Sequence, residues 1–120
     1  MDQGELVSVA VEQRGSPPVV LVSVRGELDF STTPRLVDAL NGQPPAGQHL
    51  VFDLSGLGFC DSSGLGALIA AHKATVAAGG RMFLAAVSKT VLTAITVTSL
   101  DQLFDIRDSI DAELAEVSAA

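Results

Sequence analysis

Between Val51 and Gly66 the chain reads VFDLSGLGFCDSSGLG, and within those residues a β-like pattern gives way to a helical one across a short polar junction. Leu50-Val51-Phe52-Asp53-Leu54 is short and rich in β-formers, and Ser55-Gly56 behind it are turn residues, so the text predicts a strand over 50–54 and a change of direction after it. From Asp61 the spacing changes. Leu65, Leu68, Ile69, His72 and Val76 recur at steps of three or four and so line one face of a helix over about 63–78. Gly79-Gly80 supplies the stop.

Asp61-Ser62-Ser63 therefore falls at a helix N-terminus, where short side-chain oxygens accept hydrogen bonds from the unpaired amides of the first turn. Any of the three can be the cap. One oxygen is enough for capping, which leaves a serine free to face solvent or a partner beside amides that favour negative charge.

The remaining text places this junction in an alternating α/β chain. Leu6 to Gln13 alternates apolar with polar residues, and Val19–Val24 is β-rich after Arg14-Gly15-Ser16-Pro17-Pro18, which predicts an N-terminal antiparallel hairpin. A threonine cap before Pro34 opens a helix carrying Leu36, Val37 and Leu40. Met82–Val87 reads as a buried strand, and Ser88 as the cap of a helix bearing Val91, Leu92 and Ile95. Leu103–Ile106 reads as a short edge strand, and Ile110, Leu114 and Val117 as a closing amphipathic helix. Strand–helix–strand alternation implies parallel pairing with right-handed crossovers.

Length and charge remove several function classes. With 120 residues, 48% of them hydrophobic, the chain suits one domain with a real core. A net charge of −7 repels a phosphate backbone, so no direct nucleic-acid partner is expected. No apolar run approaches the roughly 20 residues that span a bilayer, and Met1-Asp2-Gln3-Gly4-Glu5 lacks the features of a signal peptide. A cytoplasmic protein without membrane insertion is the expectation. Cys60 is the only cysteine, read as a structural small hydrophobe in a reducing compartment.

A serine hydrolase needs a base within reach of its nucleophile, and His49 and His72 are the only histidines. His72 lies ten residues along the same helix, about 15 Å from Ser62. His49 precedes the strand whose far end carries the serines. Gly56-Leu57-Gly58 and Gly64-Leu65-Gly66 lack the third glycine of a dinucleotide fingerprint, and no Gly-Lys-Ser or Gly-Lys-Thr phosphate loop occurs. Two lone histidines and scattered carboxylates make no metal-ligand spacing. The chain is thus read as a non-enzyme with no catalytic residue, no metal and no cofactor.

The combination of Gly26-Glu27-Leu28-Asp29, Asp53-Leu54 and Asp61-Ser62-Ser63-Gly64-Leu65-Gly66 resembles the STAS domain family, in particular bacterial anti-sigma factor antagonists. Gly79-Gly80-Arg81-Met82 and Ser99-Leu100-Asp101-Gln102-Leu103-Phe104 extend the resemblance over nearly the whole chain. It implies an α/β fold, a single STAS domain over 1–120 with an ordered core of about 5–117, a mixed sheet of about 4–5 strands with an N-terminal antiparallel hairpin, and about 4 helices. It also implies binding to an anti-sigma factor, a serine kinase with an ATP-binding fold, which releases a sigma factor. By the motif Ser62 is the phosphoacceptor, with Asp29, Asp61, Ser63, Gly64 and Leu65 as its surroundings and partner contacts, and phosphorylation switches binding off. Ser63 is then the better candidate for a structural cap. A serine phosphatase is a further expected partner, and the protein is expected to be a monomer or weak dimer. The alternative is a stand-alone STAS docking subunit of another stress-signalling or transport assembly. Two departures stand out: Ser99 replaces a glycine common among relatives, and the β-branched run Thr93–Thr98 predicts a short or irregular third helix.

Overall fold

The computed structural model describes residues 7–15 and 18–109, and its first two elements follow the valine alternation. Strands β1 (Val7–Arg14) and β2 (Val19–Leu28) pair antiparallel, with Val7 opposite Gly26 and Arg14 opposite Val19. Three parallel strands continue the sheet: β3 (Leu50–Cys60), β4 (Met82–Ala85) and β5 (Asp105–Arg107), in the spatial order β1-β2-β3-β4-β5. The crossovers carry helices α1 (Thr33–Ala39), α2 (Ser62–Ala77) and α3 (Lys89–Val97), the last followed by a 3-10 turn at Leu100–Gln102. Three α-helices are thus seen among the described residues. The closing helix expected from Ile110, Leu114 and Val117 lies outside them.

Each parallel crossover steps one strand in the same direction, and a right-handed hand repeated in one direction puts every helix on one face of the sheet. Packing agrees. Leu36 of α1, Leu65 and Leu68 of α2, and Val91 and Ile95 of α3 share one core with Val22, Phe52 and Leu84 of the strands. The other face holds a smaller buried cluster of Val19, Leu21, Val51, Phe83 and Ala85. Over it, the guanidinium groups of Arg81 and Arg107 lie 4.8 and 5.3 Å from the Phe83 ring centroid, and both donate to Asp105 at 2.8 Å. The Arg107 hydrogen bond holds the Asp105 carboxyl below the usual carboxylate range.

The turn expected at Ser55-Gly56 is absent, because β3 runs straight through it to Cys60. Two irregularities absorb those residues. Ser23 pairs with Asp53 and Arg25 with Gly56, so Val24 alone opposes Leu54 and Ser55; Gly26 pairs with Leu57 and Glu27 with Phe59, which leaves Gly58 as an extra residue. Each bulge resets the alternation, so the inward residues are Phe52, Leu54, Leu57 and Cys60 rather than every second one. Turn-forming residues here bend a strand without ending it.

Smaller corrections follow from local hydrogen bonding. In α2 the inward position is Thr75, not Val76, which is 53% exposed; the Thr75 hydroxyl donates to the Ala71 carbonyl at 2.8 Å and so can be buried. Val37 and Leu92 also turn outward. The Thr32 hydroxyl does not cap α1 but donates back to the Glu27 carbonyl at 2.7 Å, and Pro34 takes the second helical position. Ser88 precedes α3 without capping it, since its hydroxyl donates to the Leu57 carbonyl of β3 at 2.6 Å. The threonines of α3 and its end, Thr93, Thr96 and Thr98, each donate to a carbonyl four residues back, as expected of β-branched hydroxyl residues held in a short helix.

Beyond α2 the glycine stop is a Schellman motif: Gly79, at φ +92°, donates to Val76, and Gly80 donates to Thr75. The corresponding position after α3 is Ser99, at φ +62°, where the Cβ crowds its own backbone. Replacing Ser99 by glycine relieves that strain at an exposed site. Ser99→Gly is expected to stabilise the protein by about 0.5–1 kcal/mol and to raise its thermal midpoint by a few degrees; an unchanged or lowered midpoint would contradict the strain.

Candidate functional site

Where β2 and β3 end, Leu28 pairs with Cys60, so Asp29 and Asp61 leave neighbouring strands side by side. The Asp61 amide donates to the Leu28 carbonyl at 3.0 Å and ties the two strand ends together. Asp61 then caps α2: its Oδ1 accepts the amides of Ser63 at 2.8 Å and Gly64 at 3.2 Å. Ser63, the expected cap, is not the cap; its amide is one of the groups being capped. Both serines thereby keep their hydroxyls out of the capping interaction. Ser62, the first residue of α2, is exposed, and Ser63 is half-buried.

Asp29 organises the loop into α1 in the same manner. Its Oδ1 accepts the Ser31 amide at 2.9 Å, the Ser31 hydroxyl at 2.8 Å and the Thr32 amide at 3.0 Å. These bonds, led by the Ser31 hydroxyl and the Thr32 amide, hold its carboxyl below the usual carboxylate value of 3.8. The two aspartates share a pattern: one oxygen serves the local backbone, and the other makes no hydrogen bond among the described residues.

Beneath the serines the packing is close. A Cβ on Gly64 would stand 2.6 Å from the Cys60 sulfur and 2.8 Å from the Leu28 Cβ, so only glycine lets the first turn of α2 rest on both strand ends. Gly64 and Leu65 are buried beneath the serines, where they support the first turn of α2. Cys60 is also buried. Burial, followed by the Asp61 charge, pushes its thiol up to about 12, the opposite of the lowering that a helix N-terminus alone would give. It stays protonated at neutral pH.

The histidines lie elsewhere. His49, just before β3, accepts the Arg81 amide through Nδ1 at 2.9 Å and meets the Phe83 ring edge-on. His72 packs edge-on against Phe104 on α2, ten residues beyond Ser62. Neither reaches the serines. Among the described residues no group of three or more His, Cys, Asp or Glu is placed to hold a metal ion, and no helix is long and apolar enough to cross a membrane.

One part of this surface escaped the sequence reading. Phe30 projects from the Asp29 loop with 83% of its surface exposed, and with Thr33, Pro34, Val37, Asp38 and Ser63 it lines a groove of about 370 Å³ beside the serine pair. A phenylalanine between two turn-forming segments, outside any apolar period, was the only signal for it.

A family model for the STAS domain matches residues 10–113. The chain belongs to the STAS domain family. This STAS domain superposes on an anti-sigma factor antagonist from Mycobacterium paratuberculosis with a TM-score of 0.82 and 29% identity over 98% of both chains. The anti-sigma factor antagonist SpoIIAA in its unphosphorylated form matches with a TM-score of 0.75 and 20% identity over 94% of this chain and 98% of that one. The fold also matches part of the murine Solute Carrier 26 family member A9 anion transporter, at 0.74 and 21% over 85% of this chain and 18% of the transporter.

Two expectations test this geometry. Gly64→Ala in the STAS domain forces α2 away from Leu28 and is expected to lower stability by about 1–3 kcal/mol, read as a fall in the denaturation midpoint; an unchanged midpoint would mean that the strand ends yield freely. Because the folded Asp29 value lies below the unfolded one, the stability it contributes is complete above the unfolded value near 3.8 and is lost as pH falls through the lower native value. Carboxyl NMR should place the Asp29 midpoint below that of an unstructured aspartate, and Asp29→Asn should flatten the acid limb of the stability curve.

Proposed function

We propose that this STAS domain is a regulatory, non-catalytic anti-sigma factor antagonist of the cytoplasm. Its unphosphorylated form binds an anti-sigma factor that is also a serine kinase, and frees a sigma factor; phosphorylation of Ser62 ends the binding. The observation that carries this reading is the exposed Ser62 hydroxyl at the start of α2, spared from capping by Asp61. The fold likeness to an anti-sigma factor antagonist over 98% of both chains supports the same role.

The chemistry of the site suits a substrate serine. An acceptor needs exposure and a fixed position, whereas ATP, metal and catalytic base come from the kinase. Asp29, Asp61 and Ser63 form the surroundings that the kinase would read. A phosphate at Ser62 adds about −1.5 to −2 charges and three acceptor oxygens. Placed in an interface fitted to a neutral hydroxyl, it introduces like-charge and desolvation costs of several kcal/mol. A shift of about 2.7 kcal/mol already weakens binding a hundredfold.

Incubation with candidate anti-sigma kinases and Mg-ATP, followed by mass spectrometry, is expected to find phosphate on Ser62 that is absent from Ser62→Ala. Ser62→Asp should bind the anti-sigma factor at least tenfold more weakly than the unmodified protein. Binding by Ser62→Asp or by the phosphorylated protein as tight as that of the unmodified protein would overturn the switch, and absence of phosphate with every kinase tried would favour a docking subunit of another assembly.

A further inference from the structure

The groove beside the serine pair carries an exposed aromatic ring. Phe30 stands out from a loop that Asp29 and Thr32 brace by several hydrogen bonds. Pro34 and Val37 on the exposed face of α1 supply the apolar wall, and Ser63 lines the groove from the first turn of α2. Large apolar side chains grouped on a surface in this way mark a contact for another molecule.

Charge says what kind. Asp38 lines the groove itself, Asp29 immediately precedes Phe30 in the chain and Asp61 accepts the amide of Ser63, two more of the lining residues, and the whole chain carries a net charge of −7. A partner surface that is basic around an apolar side chain fits this border, and an acidic one is repelled. Because Ser63 lines the groove and Ser62 is its neighbour in the chain, a partner seated in the groove lies close to Ser62.

We propose that the Phe30–Pro34–Val37 groove is an anchor site for the anti-sigma factor kinase, which seats an apolar side chain there from a segment that is basic toward Asp29, Asp38 and Asp61. This rests on reading Ser62 as that partner's target. The groove supplies the affinity, and the serine supplies the control. An apolar anchor in a pocket at an interface carries a large share of binding energy, while the surrounding charges set partner choice and association rate.

The test measures binding of the anti-sigma kinase by calorimetry with wild type, Phe30→Ala, Val37→Asp, Asp38→Asn and, as a control, Val76→Ala, whose exposed side chain lies near the far end of α2. All substituted positions are exposed, so thermal midpoints should stay close to wild type and confirm folding. Phe30→Ala and Val37→Asp are expected to weaken binding at least tenfold, Val76→Ala to leave it within twofold, and Asp38→Asn to flatten its salt dependence. Wild-type binding that survives Phe30→Ala and Val37→Asp within twofold overturns the anchor and leaves the Ser62 reading standing. No wild-type binding to any anti-sigma kinase overturns the reading and the anchor together. A wild-type dimer in sedimentation that Phe30→Ala dissociates, with kinase affinity unchanged, assigns the groove to a second copy of this chain and overturns the proposal.

Discussion

The contact of Gly64 with Leu28 and Cys60 is the constraint on which the exposed end of this domain depends. A helix of sixteen residues can rest on the ends of two parallel strands only if its first turn presents no side chain to them, and Gly64 meets that condition. Once α2 sits there, the Asp61 carboxylate accepts two amides of its own first turn, leaving Ser62 exposed and Ser63 half-buried. The bulges of β3 prepare the same end from below. They let a strand of eleven residues keep Leu54, Leu57 and Cys60 pointing into one core although the alternation is broken twice. Strand, bulge, glycine and cap therefore act in series, and the position of Ser62 is their sum.

Much of the fold was legible because it rests on period and punctuation. The N-terminal hairpin, the extent of α2, the buried β4 strand and the edge position of β5 follow from alternation, helical spacing and the Gly79-Gly80 stop. Several errors share one cause. Ser55-Gly56, the threonine before Pro34, Ser63 and Ser88 are residues whose local preference is for turns and caps, and each was assigned the local use. In the folded protein Thr32 and Ser88 donate to strand carbonyls, Ser55-Gly56 are absorbed by a bulge, and Asp61 takes the capping role. Such contacts form between segments distant in sequence, or depend on register, and no window of local text contains them.

The candidate site divides along the same line. Asp29 and Asp61 could be placed at strand and helix boundaries from their motifs, but their adjacency depends on the parallel register of Leu28 with Cys60. Gly64 and Leu65 belong to the same short motif as the serines, and the structure adds that they are buried: one surface of the turn faces solvent and the other the core. Phe30 and Val37 were hidden for another reason. An exposed apolar residue has no periodic signature, so it becomes visible only when the loop that carries it has a shape.

The cap also determines where the effect of a charge at Ser62 would fall. A free helix N-terminus offers a phosphate amides worth something like 0.3–1 kcal/mol. Here two of those amides already belong to Asp61, whose own charge lies beside the acceptor. A phosphate would therefore find its local attraction largely taken and a like charge at close range, without any buried group of the core being disturbed. Rotation of the exposed side chain toward solvent lessens that repulsion at little cost to the fold. In a complex this relief is lost, because a partner covering the serine pair removes the solvent and leaves two negative groups facing a surface fitted to one. The same capping bond that would leave the fold indifferent to a charge at Ser62 would make an interface over the serine pair sensitive to it.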